Sequence, residues 1–165
     1  MKLDFSQKYA VRPLTAGDVD KILALCAENE QFYRYHPPLA TRESVLEDMT
    51  ALPPEKCAED KHYLGFFDRE TLVAVLDLIE RYPQDDTAYI GFFMTKKERQ
   101  GRGLGTALIG ELMDELRRER FRKVRLAVDR GNPQSKAFWE KNGFALMGEE
   151  FPHGDQAYLP MERAL

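Results

Sequence analysis

The stretch Gln100-Gly101-Arg102-Gly103-Leu104-Gly105-Thr106 constrains this chain more than any other. Glycine at alternate positions lets the backbone turn tightly and lets a ligand approach it without Cβ obstruction. Upstream, Thr87–Met94 is rich in β-branched and aromatic residues and reads as a strand. Downstream, Leu104, Leu108, Leu112 and Leu116 recur at four-residue spacing with Ile109 and Met113 beside them. That period predicts an amphipathic helix to about Glu119. The first-turn amides of such a helix lack intrahelical acceptors, and the dipole adds positive potential at the same place. The result is an anion site, and Lys96, Lys97, Arg99 and Arg102 surround it. A phosphate or pyrophosphate is the expected ligand; the plainer alternative is a turn that only joins strand to helix. A Walker loop fails because Glu111 follows Gly110 where Lys is required. A dinucleotide fingerprint from Gly103 and Gly105 would need a third glycine at Leu108.

The remaining elements follow from pattern and punctuation. Val11–Leu14 reads as a short strand. Thr15 opens a helix to about Asn29, with Ile22, Leu23, Leu25 and Cys26 on its apolar face. Residues 30–40 are aromatic and irregular, and Thr41 opens a second helix ending near Leu52. His62–Phe67, Leu72–Arg81 and Thr87–Met94 have short connections that predict an antiparallel meander. Beyond the amphipathic helix, Val124–Val128 alternates as a strand. Asn132-Pro133 starts a helix that stops at Asn142-Gly143. Phe144–Met147 and Tyr158–Arg163 complete the order as strands. The expected fold is a mixed α/β single domain over residues 1–165, with a mostly antiparallel sheet of six to seven strands and about four helices.

Composition narrows the functional classes. Residues 1–95 carry 10 Lys/Arg against 17 Asp/Glu, whereas residues 96–125 carry 10 against 5. The net charge of −4 argues against non-specific nucleic-acid binding. No apolar run reaches the length of a membrane span, and the N-terminus lacks the apolar core of a secretion signal. Cys26 and Cys57 share no metal-type spacing and suit a reducing cytoplasm. His36, His62 and His153 show no ligand spacing, so no metal is expected.

Residues 87–149 resemble the core of the GNAT superfamily of acetyl-CoA-dependent N-acetyltransferases. Gln100-x-x-Gly103-x-Gly105 is similar to its pyrophosphate motif, and the strand ending Phe92-Phe93-Met94 is similar to the strand along the pantetheine arm. Asn132, Ser135, Ala137, Phe138 and the run Glu140–Phe144 are similar to its second signature helix and following strand. The resemblance implies acetyl-CoA as co-substrate. It implies backbone contacts from Phe93, Met94 and Lys96 to the pantetheine. It places the pyrophosphate on Gln100, Gly101, Arg102, Gly103, Leu104, Gly105 and Thr106, with the Thr106 hydroxyl as a donor. Asn132 then either reaches the cofactor, caps its helix, or does both. A bulge that splays the fourth and fifth strands is also implied, with the Phe93 backbone amide polarising the thioester carbonyl.

Attack of an amine on a thioester requires a neutral amine, so a proton must leave through a base or a water chain. The family often carries Glu on its fourth strand. Here that neighbourhood is Tyr89-Ile90-Gly91-Phe92, and the nearest carboxylates are Asp77 and Glu80, with Glu80 the catalytic candidate and an ordinary strand residue the alternative. Trp139 stands where many relatives have the acidic Tyr, and an indole cannot supply that proton. Tyr158 or a water takes the role. Phe32, Tyr33, Tyr35 and His36 are the acceptor-site candidates, as cleft walls or as a hydrophobic plug. The expected activity is acetyl transfer to a primary amine of a small molecule or peptide. A non-catalytic acyl-CoA sensor and a nucleotide-binding protein are the alternatives. A homodimer is compatible with the amphipathic helix.

Overall fold

The computed structural model describes residues 1–165. Eight strands form one sheet: β1 (Ala10–Pro13), β2 (Lys61–Asp68), β3 (Thr71–Ile79), β4 (Thr87–Thr95), β5 (Lys123–Asp129), β6 (Ala145–Leu146), β7 (Phe151–His153) and β8 (Gln156–Ala164). Five helices accompany them: α1 (Val19–Glu28), α2 (Glu30–Tyr35), α3 (Arg42–Asp48), α4 (Leu104–Arg118) and α5 (Pro133–Lys141). The sheet order is β1-β2-β3-β4-β5-β8-β6, with β7 also on β8. Only the β4–β5 pair is parallel. The mixed α/β architecture is as expected, with slightly more strands and one more helix. The additions are short: α2 forms from the aromatic segment read as irregular, and β7 from a segment read as a connection.

The sheet separates two apolar layers. On one face, α4 buries Leu108, Ile109, Leu112, Met113 and Leu116 against Leu64, Leu76, Leu78 and Ile90. On the other, Ile22, Leu25 and Cys26 of α1 and Val45 of α3 pack on Tyr63, Val75 and Met94. Alternation along β3 feeds both: Val75 points to the α1 layer, Ala74 and Leu76 to the α4 layer. Just before the start of α1, Arg12 makes a bidentate pair with Asp18 at 2.9 and 2.7 Å. That guanidinium holds the Asp18 carboxyl well below the usual carboxylate range.

Two irregularities shape the sheet centre. Asp77 pairs Phe92 and Leu78 pairs Ile90, so Gly91 is an extra residue on β4. An ideal Cβ there would lie 2.8 Å from the Asp77 carboxylate, so glycine permits the bulge beside that side chain. The second irregularity is the short β4–β5 ladder. It covers Thr87, Ala88 and Tyr89 against Lys123, Val124 and Arg125, then stops. From Ile90 onward the two strands part, and the bulge begins at that point.

Leu112 is buried where α4 meets the sheet. Leu112→Ala should lower unfolding free energy by about 2–5 kcal/mol, the cost of removing a buried leucine and leaving a cavity. Urea unfolding followed by circular dichroism measures it.

Candidate active site

The gap between β4 and β5 opens into two cavities. The larger, about 390 Å³, runs from the glycine loop along β4 to Asn132 and Trp139. The smaller, about 250 Å³, continues between the strands to His36, Asp129 and Tyr158. They meet at Phe32, Phe93, Ser135 and Trp139.

The glycine loop has the backbone its sequence suggests. Gly101 and Gly103 take φ of 71° and 81°, and Gly103 stands immediately before α4. No amide from Gly101 through Thr106 donates to a backbone carbonyl; the first in the helix to do so is Ala107, to Gly103 O at 3.0 Å. All of these residues but Arg102 border the larger cavity at the positive end of a 15-residue helix. Thr106 Oγ1 accepts from Asn142 Nδ2 at 3.4 Å, which leaves its own proton to donate. Gly105 lets α5 approach, since a Cβ there would lie 3.0 Å from the Phe138 ring.

The loop is anchored by contacts invisible in the sequence. Gln100 Nε2 donates to Asn29 Oδ1 at 2.7 Å and to Thr95 O at 3.0 Å. Buried Asn29, at the end of α1, donates in turn to Leu25 O and Thr95 O. Of the basic residues, Lys97 lines the cavity, joined by Lys141 of α5. Lys96 pairs with Glu28 and Arg99 with Asp68, while Arg102 is exposed outside the walls.

The β4 backbone alternates. Lys96 N donates to Val73 O at 2.8 Å, so Lys96 and Met94 turn their peptide groups toward β3. Phe93 and Thr95 turn theirs into the gap. The Phe93 amide is therefore available to a ligand; the Lys96 amide is already used, and Thr95, which sequence reading passed over, lies on the open side. Asn132 Oδ1 accepts from Ser135 N at 3.1 Å as a helix cap. Its side-chain Nδ2 makes no hydrogen bond within the chain, and the residue borders the cavity.

The acceptor candidates divide. Phe32 lines both cavities and His36 the smaller one. Tyr33 packs on the α1 layer, where burial first and then a hydrogen bond with Cys26 push its phenol up. Tyr35 lines neither cavity. Tyr158 reaches the smaller cavity, standing opposite Asp129 in the β5–β8 ladder. Its phenol is pushed up by burial and by Asp129, so it keeps its proton at neutral pH. Trp139 is buried among Phe93, Phe138 and Phe144 and forms the wall at the junction.

Neither carboxylate candidate, Asp77 on β3 or Glu80 just after it, borders either of these two cavities. Asp77 binds Lys61 Nζ at 2.9 and 3.0 Å, and burial pushes its carboxyl up. Glu80 bonds His62 Nε2 at 2.7 Å, the Met1 amine at 3.1 Å and Arg81 at 3.0 Å. The His62 bond, aided by the amine and opposed by burial, holds its carboxyl down to about 2. A carboxylate that sequence reading did not single out, Asp129, lies at the smaller cavity instead. It is buried beside the gap and holds His36 Nδ1 at 3.1 and 3.2 Å.

A family model described as the acetyltransferase (GNAT) family matches residues 24–144. The chain belongs to the GNAT family. These acetyltransferases use acetyl-CoA, and the row of free amides at the glycine loop fits the pyrophosphate of that molecule. No curated protein matches the chain. An acetyltransferase from Thermus thermophilus is similar in structure, with a TM-score of 0.76, 22% identity and 100% of both chains covered. The PaiA N-acetyltransferase of Thermoplasma acidophilum, solved in complex with coenzyme A, gives 0.68 and 20%, covering 95% of this chain and 99% of that one. A spermidine N-acetyltransferase chimera of Vibrio cholerae SpeG and hSSAT gives 0.71 and 22%, covering 96% of each. At these identities the likeness is one of fold. No group of three or more His, Cys, Asp or Glu is placed to hold a metal, and no helix is long and apolar enough to cross a membrane.

Two predictions follow from this geometry. A Cβ at Gly103 meets nothing within 4 Å, but its φ of 81° disfavours any side chain by about 1–2 kcal/mol. Gly103→Val should therefore remain folded and bind CoA at least about tenfold more weakly, about 1.4 kcal/mol, by calorimetry. Glu80 lowers its folded pKa from 4.5 to about 2, so its stabilisation is present above pH 4.5 and fades as pH falls toward 2. Glu80→Gln should be less stable than the parent at pH 7, with the difference closing toward pH 2 in urea-midpoint measurements.

Proposed function

We propose that this protein is an N-acetyltransferase that moves the acetyl group of acetyl-CoA to a primary amine of a small molecule or peptide, by direct attack within a ternary complex. The observation that carries the reading is the junction at Phe93. There a cavity edged by free loop amides meets a second cavity with room for an acceptor, and a backbone amide faces the meeting point.

Each part has a physical task. The amides of Gly101–Thr106, the Thr106 hydroxyl and Lys97 neutralise the pyrophosphate without needing a large basic surface. The peptide groups of Phe93 and Thr95 offer the pantetheine arm a strand-like edge where β5 has withdrawn. The Asn132 amide nitrogen adds a donor from the opposite side. The Phe93 amide, turned into the gap, would serve the thioester oxygen, where charge grows as the amine adds, and a fixed donor there favours the transition state over the ground state. Aromatic walls from Phe32, Phe92 and Trp139 exclude water around the reacting atoms. Tyr158 holds a proton at neutral pH and lies in the acceptor cavity, the place from which a departing thiolate can be protonated. The buried carboxylate of Asp129 favours an acceptor that arrives as an ammonium.

The test is thiol release from acetyl-CoA in the presence of ethanolamine, 2-phenylethylamine, spermidine and a peptide with a free N-terminus. Release that depends on one of these amines, with an acetylated product by mass spectrometry, is expected. Tight CoA binding with no amine-dependent release from any of them would favour a sensor.

A further inference from the structure

His36 and Asp129 are 93 residues apart in the chain and belong to different layers, yet they meet across the acceptor cavity. His36 ends α2, and Asp129 ends β5. Both oxygens of Asp129 lie within 3.2 Å of Nδ1, which fixes the ring's orientation and its tautomer. Nε2 makes no hydrogen bond within the chain, and the side chain is 43% exposed beside the cavity. The Asp129 side chain is only 7% exposed. A buried carboxylate with a partly open imidazole is the arrangement in which the inner group steadies an imidazolium formed on the outer one.

We infer that His36 is the general base that takes the proton from the acceptor ammonium, and that Asp129 is the positioning residue behind it. The inference rests on the acetyltransferase reading above and adds the group that β4 lacks. The step balances simply. Neutral His36 Nε2 accepts one proton from the ammonium, giving a free amine and an imidazolium held by Asp129. The amine nitrogen bonds to the thioester carbon and the carbon–sulfur bond breaks. The sulfur leaves with the bonding pair and takes a proton from Tyr158, which recovers one from the new amide nitrogen. His36 returns its proton to solvent, so each turnover releases one proton.

Asp129 on β5 and Asp48 on α3 are acidic and favour its charged form. Tyr158 of β8 lies 6.2 Å away, ring to ring, and His153 of β7 lies beyond it against Tyr158. Tyr89 of β4 closes the far wall. Phe32 packs on the ring at 5.3 Å. The Asp129 hydrogen bond is the largest influence and raises the pKa of His36 above the usual histidine value, while burial opposes it. The raised pKa makes the neutral ring a stronger base than an ordinary histidine. The sign is definite: His36 works only when neutral, so kcat/KM must rise with pH through its raised pKa.

The experiment is a pH profile of kcat/KM with the fastest amine of the panel, for the parent, His36→Gln and Asp129→Asn, alongside CoA affinity. His36→Gln should lose about 100-fold or more in kcat/KM, lose the acidic limb, and keep its CoA affinity. Asp129→Asn should move that limb to lower pH and lower the plateau. Imidazole added to His36→Gln should restore part of the rate. A His36→Gln profile that keeps the parental limb and rate overturns the inference while leaving acetyl transfer intact. Absence of amine-dependent release in the parent removes the acetyltransferase reading, and this inference with it.

Discussion

The whole site depends on the parting of β4 from β5. Two parallel neighbours would normally exchange backbone hydrogen bonds along their length. Here the ladder ends after three residue pairs, and the peptide groups of Phe93 and Thr95 are left facing open space. That arrangement is costly unless something else fills the edge. The chain meets part of the demand itself: Asn29 and Gln100 both donate to Thr95 O. The remainder is where a ligand backbone can bind. The Gly91 bulge supplies the local bend, and the carboxylate of Asp77, clamped by Lys61, occupies the space a side chain at Gly91 would need.

Chemistry is divided across this opening by layer. The α4 side provides dipole and free amides for charge on the co-substrate. The α1–α2 side, with the end of β5, provides aromatic walls and a histidine–carboxylate pair. The divided strands keep the two apart except at one junction, where Phe93 contributes an amide from its backbone and its ring stacks on Phe138. An acidic protein can therefore hold a polyanion, because only the field at the start of α4 matters there.

The legible parts of this site are those encoded by neighbours in sequence. The glycine loop, the helix after it, the Asn132 cap and the strand before the loop are each set by a few consecutive residues, and all lie where their local chemistry puts them. The carboxylates were harder. Glu80 looked available because its partners, His62 and the Met1 amine, are 18 and 79 residues away. Asp129 carries no signal of its own in the sequence, because its partner His36 is 93 residues away in another layer. The aromatic segment showed no period long enough to reveal α2, whose six residues are held mainly by packing around Phe32. Thr95 and Lys96 differ in role only through strand register, which composition does not carry.

Phe32 borders both cavities. Whatever enters either one rests against the same ring, which also packs on His36 and Phe92. Two ligands that rest on one ring are coupled to the extent that either one sets its position. If the first arrival sets the ring in the position the second requires, the second binds more tightly, and thermodynamic linkage demands that the favour be returned in equal measure. A single phenyl group is thereby common ground between the two halves of the site.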